Sequence, residues 1–136
     1  MNYGFIKVAS AVPSVKVADC KYNVEQIEQQ IILAEGQGVE IIVFPELSLT
    51  GYTCQDLFRQ NLLLETTESA MLMLLDFTRQ LNIISIVGLP IAVGDLLLNC
   101  AAIIQKGQIL GIVAKEYLPN YNEFYEKRWF ASVQDL

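Results

Sequence analysis

At 136 residues the chain can bury one real core, and 53% of it is hydrophobic, an over-supply that points to an oligomer or to part of a larger domain. A net charge of −6 argues against a phosphate-backbone partner, and a sequence without histidine has no Ser-His or Cys-His catalysis and no imidazole zinc site. Cys20, Cys54 and Cys100 are widely spaced and odd in number, so they read as free thiols in a reducing compartment. No apolar run reaches the length of a membrane span, and Lys7 interrupts the short N-terminal one, so the expected setting is cytoplasmic.

In chain order, residues 3–12 mix β-branched and aromatic side chains up to Pro13 and predict an opening strand. Asn23 and Gln26 have capping-box spacing, and Val24, Ile27, Ile31 and Ala34 recur at helical period behind them. Gly36 and Gly38 supply the left-handed turn that ends such a helix. Ile41 to Phe44 is a fully apolar strand, stopped by Pro45 because proline cannot donate to a sheet ladder. Residues 55–64 predict a short helical turn. Thr66 or Thr67 caps a second helix with Ala70, Leu74, Phe77 and Leu81 on one face, closed by Asn82.

Residues 83–89 predict a strand ended at Pro90, with Gly94-Asp95 as a hairpin turn. Residues 96–105 and 108–114 predict two antiparallel strands joined at Lys106-Gly107. Residues 116–130 form a loop dense in aromatic and acidic groups. The pattern is an α/β fold, a parallel βαβαβ unit followed by an antiparallel meander, in one piece over residues 1–136.

Glu46 and Lys115 each follow an apolar strand and should share one rim of the sheet. A carboxylate facing an ammonium is useful beside a thiol: the one takes the thiol proton, the other stabilises the oxyanion formed on a carbonyl. Alone, each reads first as an ordinary strand-end charge, and the pairing is what gives them weight.

The stretch Phe44-Pro45-Glu46-Leu47-Ser48-Leu49-Thr50-Gly51-Tyr52 resembles the first signature of the nitrilase, or carbon–nitrogen hydrolase, superfamily. Asn99-Cys100-Ala101 through Gly107 to Lys115-Glu116-Tyr117-Leu118-Pro119 resembles its second. The resemblance implies an α-β-β-α sandwich and a Glu-Lys-Cys triad, with Glu46 as general base and Lys115 as oxyanion-stabilising lysine. More narrowly, Gly51-Tyr52-Thr53-Cys54-Gln55-Asp56-Leu57-Phe58 and the run from Leu118 through Tyr121, Asn122 and Glu123 to Arg128 are similar to the glutaminase domain of glutamine-dependent NAD+ synthetases. That likeness implies glutamine as substrate, with Tyr52, Tyr121 and Glu123 in contact with it. It also implies a synthetase domain outside these residues that uses ATP and Mg on deamido-NAD, no cofactor in this segment, and a homo-oligomer without nucleic-acid or membrane partners.

The sequence departs from the family at the nucleophile. The family's cysteine follows the lysine loop, and none of Cys20, Cys54 and Cys100 takes that place. The expectation is the N-terminal half of a glutaminase domain, inactive alone. Two alternatives stand beside it: a piece of a stand-alone amidase of the same superfamily, and a non-catalytic assembly module.

Overall fold

A computed structural model describes residues 3–121 and 123–136. Five strands lie in the order β1-β2-β3-β4-β5. The first three are parallel and the last two antiparallel, as the sequence predicts.

Strand β1 (Val8–Ser10) is shorter than the predicted 3–12. It pairs with β2 (Ile41–Val43) alone, which is itself three residues long, and an edge strand extends no further than its ladder. Between them runs α1 (Cys20–Gly36), burying the predicted face of Val24, Ile27, Ile31 and Ala34. Its cap is Asp19, which accepts from the Tyr22 amide at 3.1 Å, one turn before the predicted box at Asn23. Asn23 is buried inside the helix instead. Its Nδ2 donates to the carbonyls of Lys16 (2.9 Å) and Leu49 (3.0 Å), and its Oδ1 accepts from the Lys16 amide (2.8 Å). Three bonds from a buried side chain to two loops are worth more than one reciprocal cap.

Helix α2 (Asn61–Phe77) begins more than a turn before the predicted Thr caps. The Thr66 and Thr67 hydroxyls both donate back to the Leu63 carbonyl, a local bond that lets threonine sit inside a helix. The predicted turn at 55–64 divides into a 3₁₀ turn (Gln55–Arg59) and the first turn of α2. Ala70 and Leu74 are buried as predicted, whereas Leu81 lies past the helix and packs against the core from outside it.

Strand β3 (Ile84–Val93) runs through Pro90, where the sequence predicts its end. Pro90 pairs with Asn99, and the β2 ladder has already stopped at Val43↔Ile86. On that side no strand needs an amide from Pro90, so its missing N–H breaks no ladder. Strands β4 (Leu96–Gln105) and β5 (Gln108–Ala114) have the predicted bounds. Lys106 and Gly107 both take positive φ (51° and 78°), the twist of a tight hairpin.

The two helices cover one face of the sheet, where Ile42, Val87, Ala102 and Ile104 are fully buried beside Ile27, Ile31 and Leu74. Alternation puts Val8, Val43, Ile86, Ala101, Ile103 and Val113 on the opposite face. There Val8 is 64% and Val113 60% exposed. The described residues thus supply one sheet and one helix layer of the expected sandwich.

Candidate active site

Glu46 is placed by what flanks it. Phe44, Leu47 and Leu49 are buried, so the loop is pinned to the core on both sides of the carboxylate. Leu47 takes a left-handed φ of 52°, and the chain folds back until the Gly51 amide donates to the Leu47 carbonyl at 2.8 Å. Strand β3 holds the same loop from the side: the Leu49 amide donates to the Gly88 carbonyl (3.0 Å), and the Gly88 amide donates to Ser48 Oγ (3.1 Å). Asn23 completes the hold at Leu49. Gly88 is required here, since a Cβ on it would stand 2.3 Å from the Leu47 amide nitrogen.

The partners come from β4 and the end of β5. The Lys115 amide donates to the Asn99 carbonyl at 2.8 Å, which sets Lys115 opposite Asn99 on the face that carries Ala101 and Val113. Lys115 Nζ donates to Glu46 Oε1 at 2.8 Å, and Asn99 Nδ2 donates to the same oxygen. Two donors fix one carboxylate oxygen. Glu46 Oε2 is the other oxygen of a side chain that is 41% exposed.

Glu126, which lies in the loop of residues 116–130 and was not among the expected site residues, joins the cluster from the other side. Its side chain is 3% exposed, and its two oxygens stand 3.0 and 3.3 Å from Lys115 Nζ. The Tyr52 hydroxyl donates to Glu126 Oε2 at 2.5 Å. Lys115 therefore lies between two carboxylates, one half-exposed and one buried. Burial pulls the Lys115 ammonium down, but its hydrogen bonds to Glu46 and Glu126 outweigh that and leave its pKa raised. Burial, and then the Glu126 carboxylate, hold the Tyr52 phenol well above its ordinary range, so Tyr52 stays a donor. No local signal in the sequence singles out Glu126 among the acids of its loop, whereas a lone Asn in the run Leu-Leu-Leu-Asn-Cys-Ala-Ala-Ile-Ile was the signal for Asn99.

The other expected residues divide. Tyr52 is drawn into the cluster through its hydroxyl. Tyr121 is 65% exposed and packs edge-on against Phe124 at 5.9 Å; Glu123 is exposed. Neither is among the hydrogen-bond partners of Glu46, Lys115 or Glu126. Asn122, within the same motif, lies outside the described residues.

Each cysteine is buried, and none is a hydrogen-bond partner of Glu46 or Lys115. Cys100 follows Asn99 on β4, so its side chain points to the helix face. Cys54 Sγ donates to the Thr50 carbonyl at 3.2 Å, and Cys20 Sγ lies 3.5 Å from Thr67 Oγ1. Burial pushes the Cys54 thiol up despite the opposing bonds to Ala18 and Thr50, and burial pushes up Cys100. Among the described residues no group of three or more His, Cys, Asp or Glu side chains gathers to hold a metal, and no helix is long and apolar enough to cross a membrane.

The carbon-nitrogen hydrolase family model matches residues 7–135. The glutamine-dependent NAD(+) synthetase of Mycobacterium leprae is 35% identical over 134 residues, 98% of this chain and 20% of the relative. That of Aquifex aeolicus is 41% identical over 119 residues, 88% and 21% of the respective chains. The chain thus spans about a fifth of the length of these curated relatives. A glutamine-dependent NAD(+) synthetase structure from Cytophaga hutchinsonii superposes with a TM-score of 0.88 at 31% identity, over 93% of this chain and 22% of that one. An amidase from Nesterenkonia sp. shares the fold at a TM-score of 0.81 and 22% identity, over 93% and 48%.

Proposed function

The chain belongs to the carbon-nitrogen hydrolase family, and from that premise we propose that residues 1–136 are the N-terminal half of a glutaminase domain. The observation that carries the reading is the Lys115 ammonium held between Glu46 and Glu126 at the ends of β2 and β5. The substrate is glutamine, by likeness to relatives whose name states that dependence.

In the proposed reaction Glu46 removes the proton from a thiol as its sulfur bonds to the glutamine amide carbon. The carbonyl oxygen becomes an oxyanion, and the Lys115 ammonium, two of whose donors are occupied by carboxylates, offers it the third. The proton held by Glu46 goes to the leaving nitrogen, and the C–N bond breaks to give ammonia and a thioester. Glu46 then deprotonates water, which attacks the thioester; glutamate leaves and the thiol regains its proton. On this reading the thiol is none of Cys20, Cys54 and Cys100, each of which is buried and none of which is a hydrogen-bond partner of Glu46. We assign it to residues outside these 136. The ammonia would pass to a synthetase domain, also outside these residues, where ATP and Mg serve the amidation of deamido-NAD. No residue described here is assigned to ATP or Mg.

The test is glutamate release from glutamine, set against other primary amides. The full-length protein should be active on glutamine, Glu46→Gln and Lys115→Met should each lose at least about 10²-fold, and the isolated 136-residue polypeptide should release none. Loss of activity in Cys54→Ala would sink the assignment of the thiol. A preference for another amide would move the reading to an amidase.

A further inference from the structure

The two loops that frame the site are locked together on their outer side by a cluster that touches none of the reacting groups. Asp56 lies in the 3₁₀ turn after the Glu46 loop, and Arg128 in the 3₁₀ turn (Glu126–Arg128) after Lys115. Arg128 Nε donates to Asp56 Oδ1 at 2.9 Å and Arg128 Nη2 to Oδ2 at 3.0 Å, while Trp129 Nε1 donates to Oδ1 at 3.0 Å. Arg59 donates in turn to the Arg128 carbonyl at 2.5 Å. Behind the ion pair, buried Phe58 packs against Trp129 (6.2 Å) and Phe130 (4.9 Å between ring centroids).

A solvent-exposed ion pair normally contributes little. This one differs in geometry: a bidentate fork and an indole converge on one carboxylate, over an aromatic floor. The arginine and indole donors hold the Asp56 carboxyl well below the usual carboxylate range. Two residues before Arg128 stands Glu126, whose carbonyl accepts from the Phe130 amide at 2.8 Å, so the clamped turn is the one that aims the Glu126 carboxylate inward.

We propose that Asp56, acting through Arg128 and Trp129, is a positioning residue that holds Glu126 against the Lys115 ammonium and so fixes that ammonium for the reaction. The inference rests on the glutaminase reading for its catalytic consequence, but its structural content stands apart from it. Without the clamp the 126–130 turn loosens, Glu126 withdraws, and Lys115 keeps Glu46 as its one carboxylate. The groups facing Lys115 are Glu46 from the loop after β2 and Glu126 from the turn; Asn99 is bound to the first and Tyr52 to the second.

The experiment compares full-length wild type with Asp56→Asn, Arg128→Gln, Glu126→Gln and Asp56→Asn/Glu126→Gln. The first readout is the Lys115 titration, followed by its ¹³Cε shift in lysine-labelled protein. The second is kcat and KM for glutamine. Asp56→Asn and Arg128→Gln should each bring the Lys115 midpoint down by about one pH unit, and kcat down about tenfold with KM little changed. The double variant should be no worse than Glu126→Gln, because both act through one contact. Asp76→Asn, which removes the exposed Asp76–Arg79 pair on α2, should move neither readout. An unmoved Lys115 titration in Asp56→Asn overturns the inference, whatever happens to kcat. A Lys115 midpoint that falls in a protein inactive on glutamine upholds the positioning role and overturns the glutaminase reading.

Discussion

One ammonium answering two carboxylates has a consequence at Lys115 that pH exposes. Its folded pKa is raised, so the stabilisation from pairing is present in full below the ordinary lysine value of about 10.4 and is lost as pH climbs through the higher folded value. Lys115→Met removes the charge at every pH and leaves Glu126 buried without it. The stability gap between wild type and Lys115→Met, measured by urea unfolding, should therefore be widest near pH 8 and narrow on the alkaline side. A constant gap would mean that the ammonium contributes nothing by its charge. This is also the scale at which the site was partly readable in advance. Glu46 and Lys115 end apolar strands, a position that periodicity and Pro45 disclose. Glu126 sits in an aperiodic loop, where nothing local says which of Glu116, Glu123 and Glu126 turns inward; only tertiary packing selects it. Tyr52 was expected at a substrate, and its hydroxyl is held by Glu126.

The strand-loop element that carries Glu46 depends on a close backbone approach from β3. With Gly88 beneath Pro45, Glu46 and Leu47, the loop lies directly on the strand. Gly88→Ala should push it outward, with a loss of about 1–3 kcal/mol in chemical denaturation, and should separate Glu46 from Asn99 and Lys115. An alanine variant of unchanged stability would show that the approach is looser than it is drawn. The same elements explain what the sequence could and could not disclose. The bounds of strands β4 and β5 were readable to the residue, because Lys106-Gly107 sets the hairpin, but the one-residue register shift between Ile103 and Ile104, which brings Ala114 opposite Cys100, was not. Pro90 misled because a proline is a stop only where its amide is needed, and that depends on where the neighbouring β2 ends. Asn23 misled because its cap spacing is local, whereas its actual partners, Lys16 and Leu49, belong to two different loops.

At the scale of the molecule, one face of the sheet is packed and the other is not. Val8, Val43 and Val113 are 64%, 41% and 60% exposed on it, a contiguous apolar surface of the kind that soluble monomers avoid. The composition had already shown this excess without locating it. The 136-residue polypeptide by itself should self-associate, and Val113→Lys should shift it toward monomer in sedimentation velocity without changing its helix content. Association undiminished by Val113→Lys would place the contact elsewhere, for example on the outer side of α1, where Ile32 and Leu33 are exposed.

Asn99 and Lys115 stand on that same open face, in line with Ala101 and Val113. Whatever surface settles over the apolar strands must also close over the charged cluster at their rim. Closing the core and drying the site are then a single event. Until it happens, bulk water screens the Glu46–Lys115 pair and competes for its donors; afterwards the same charges act in a low-dielectric setting, where an oriented ammonium is far more effective. On the proposed glutaminase reading this is a safeguard in time: a half-assembled chain carries its charged groups in a wet and harmless state, and would acquire reactivity as it acquires its cover.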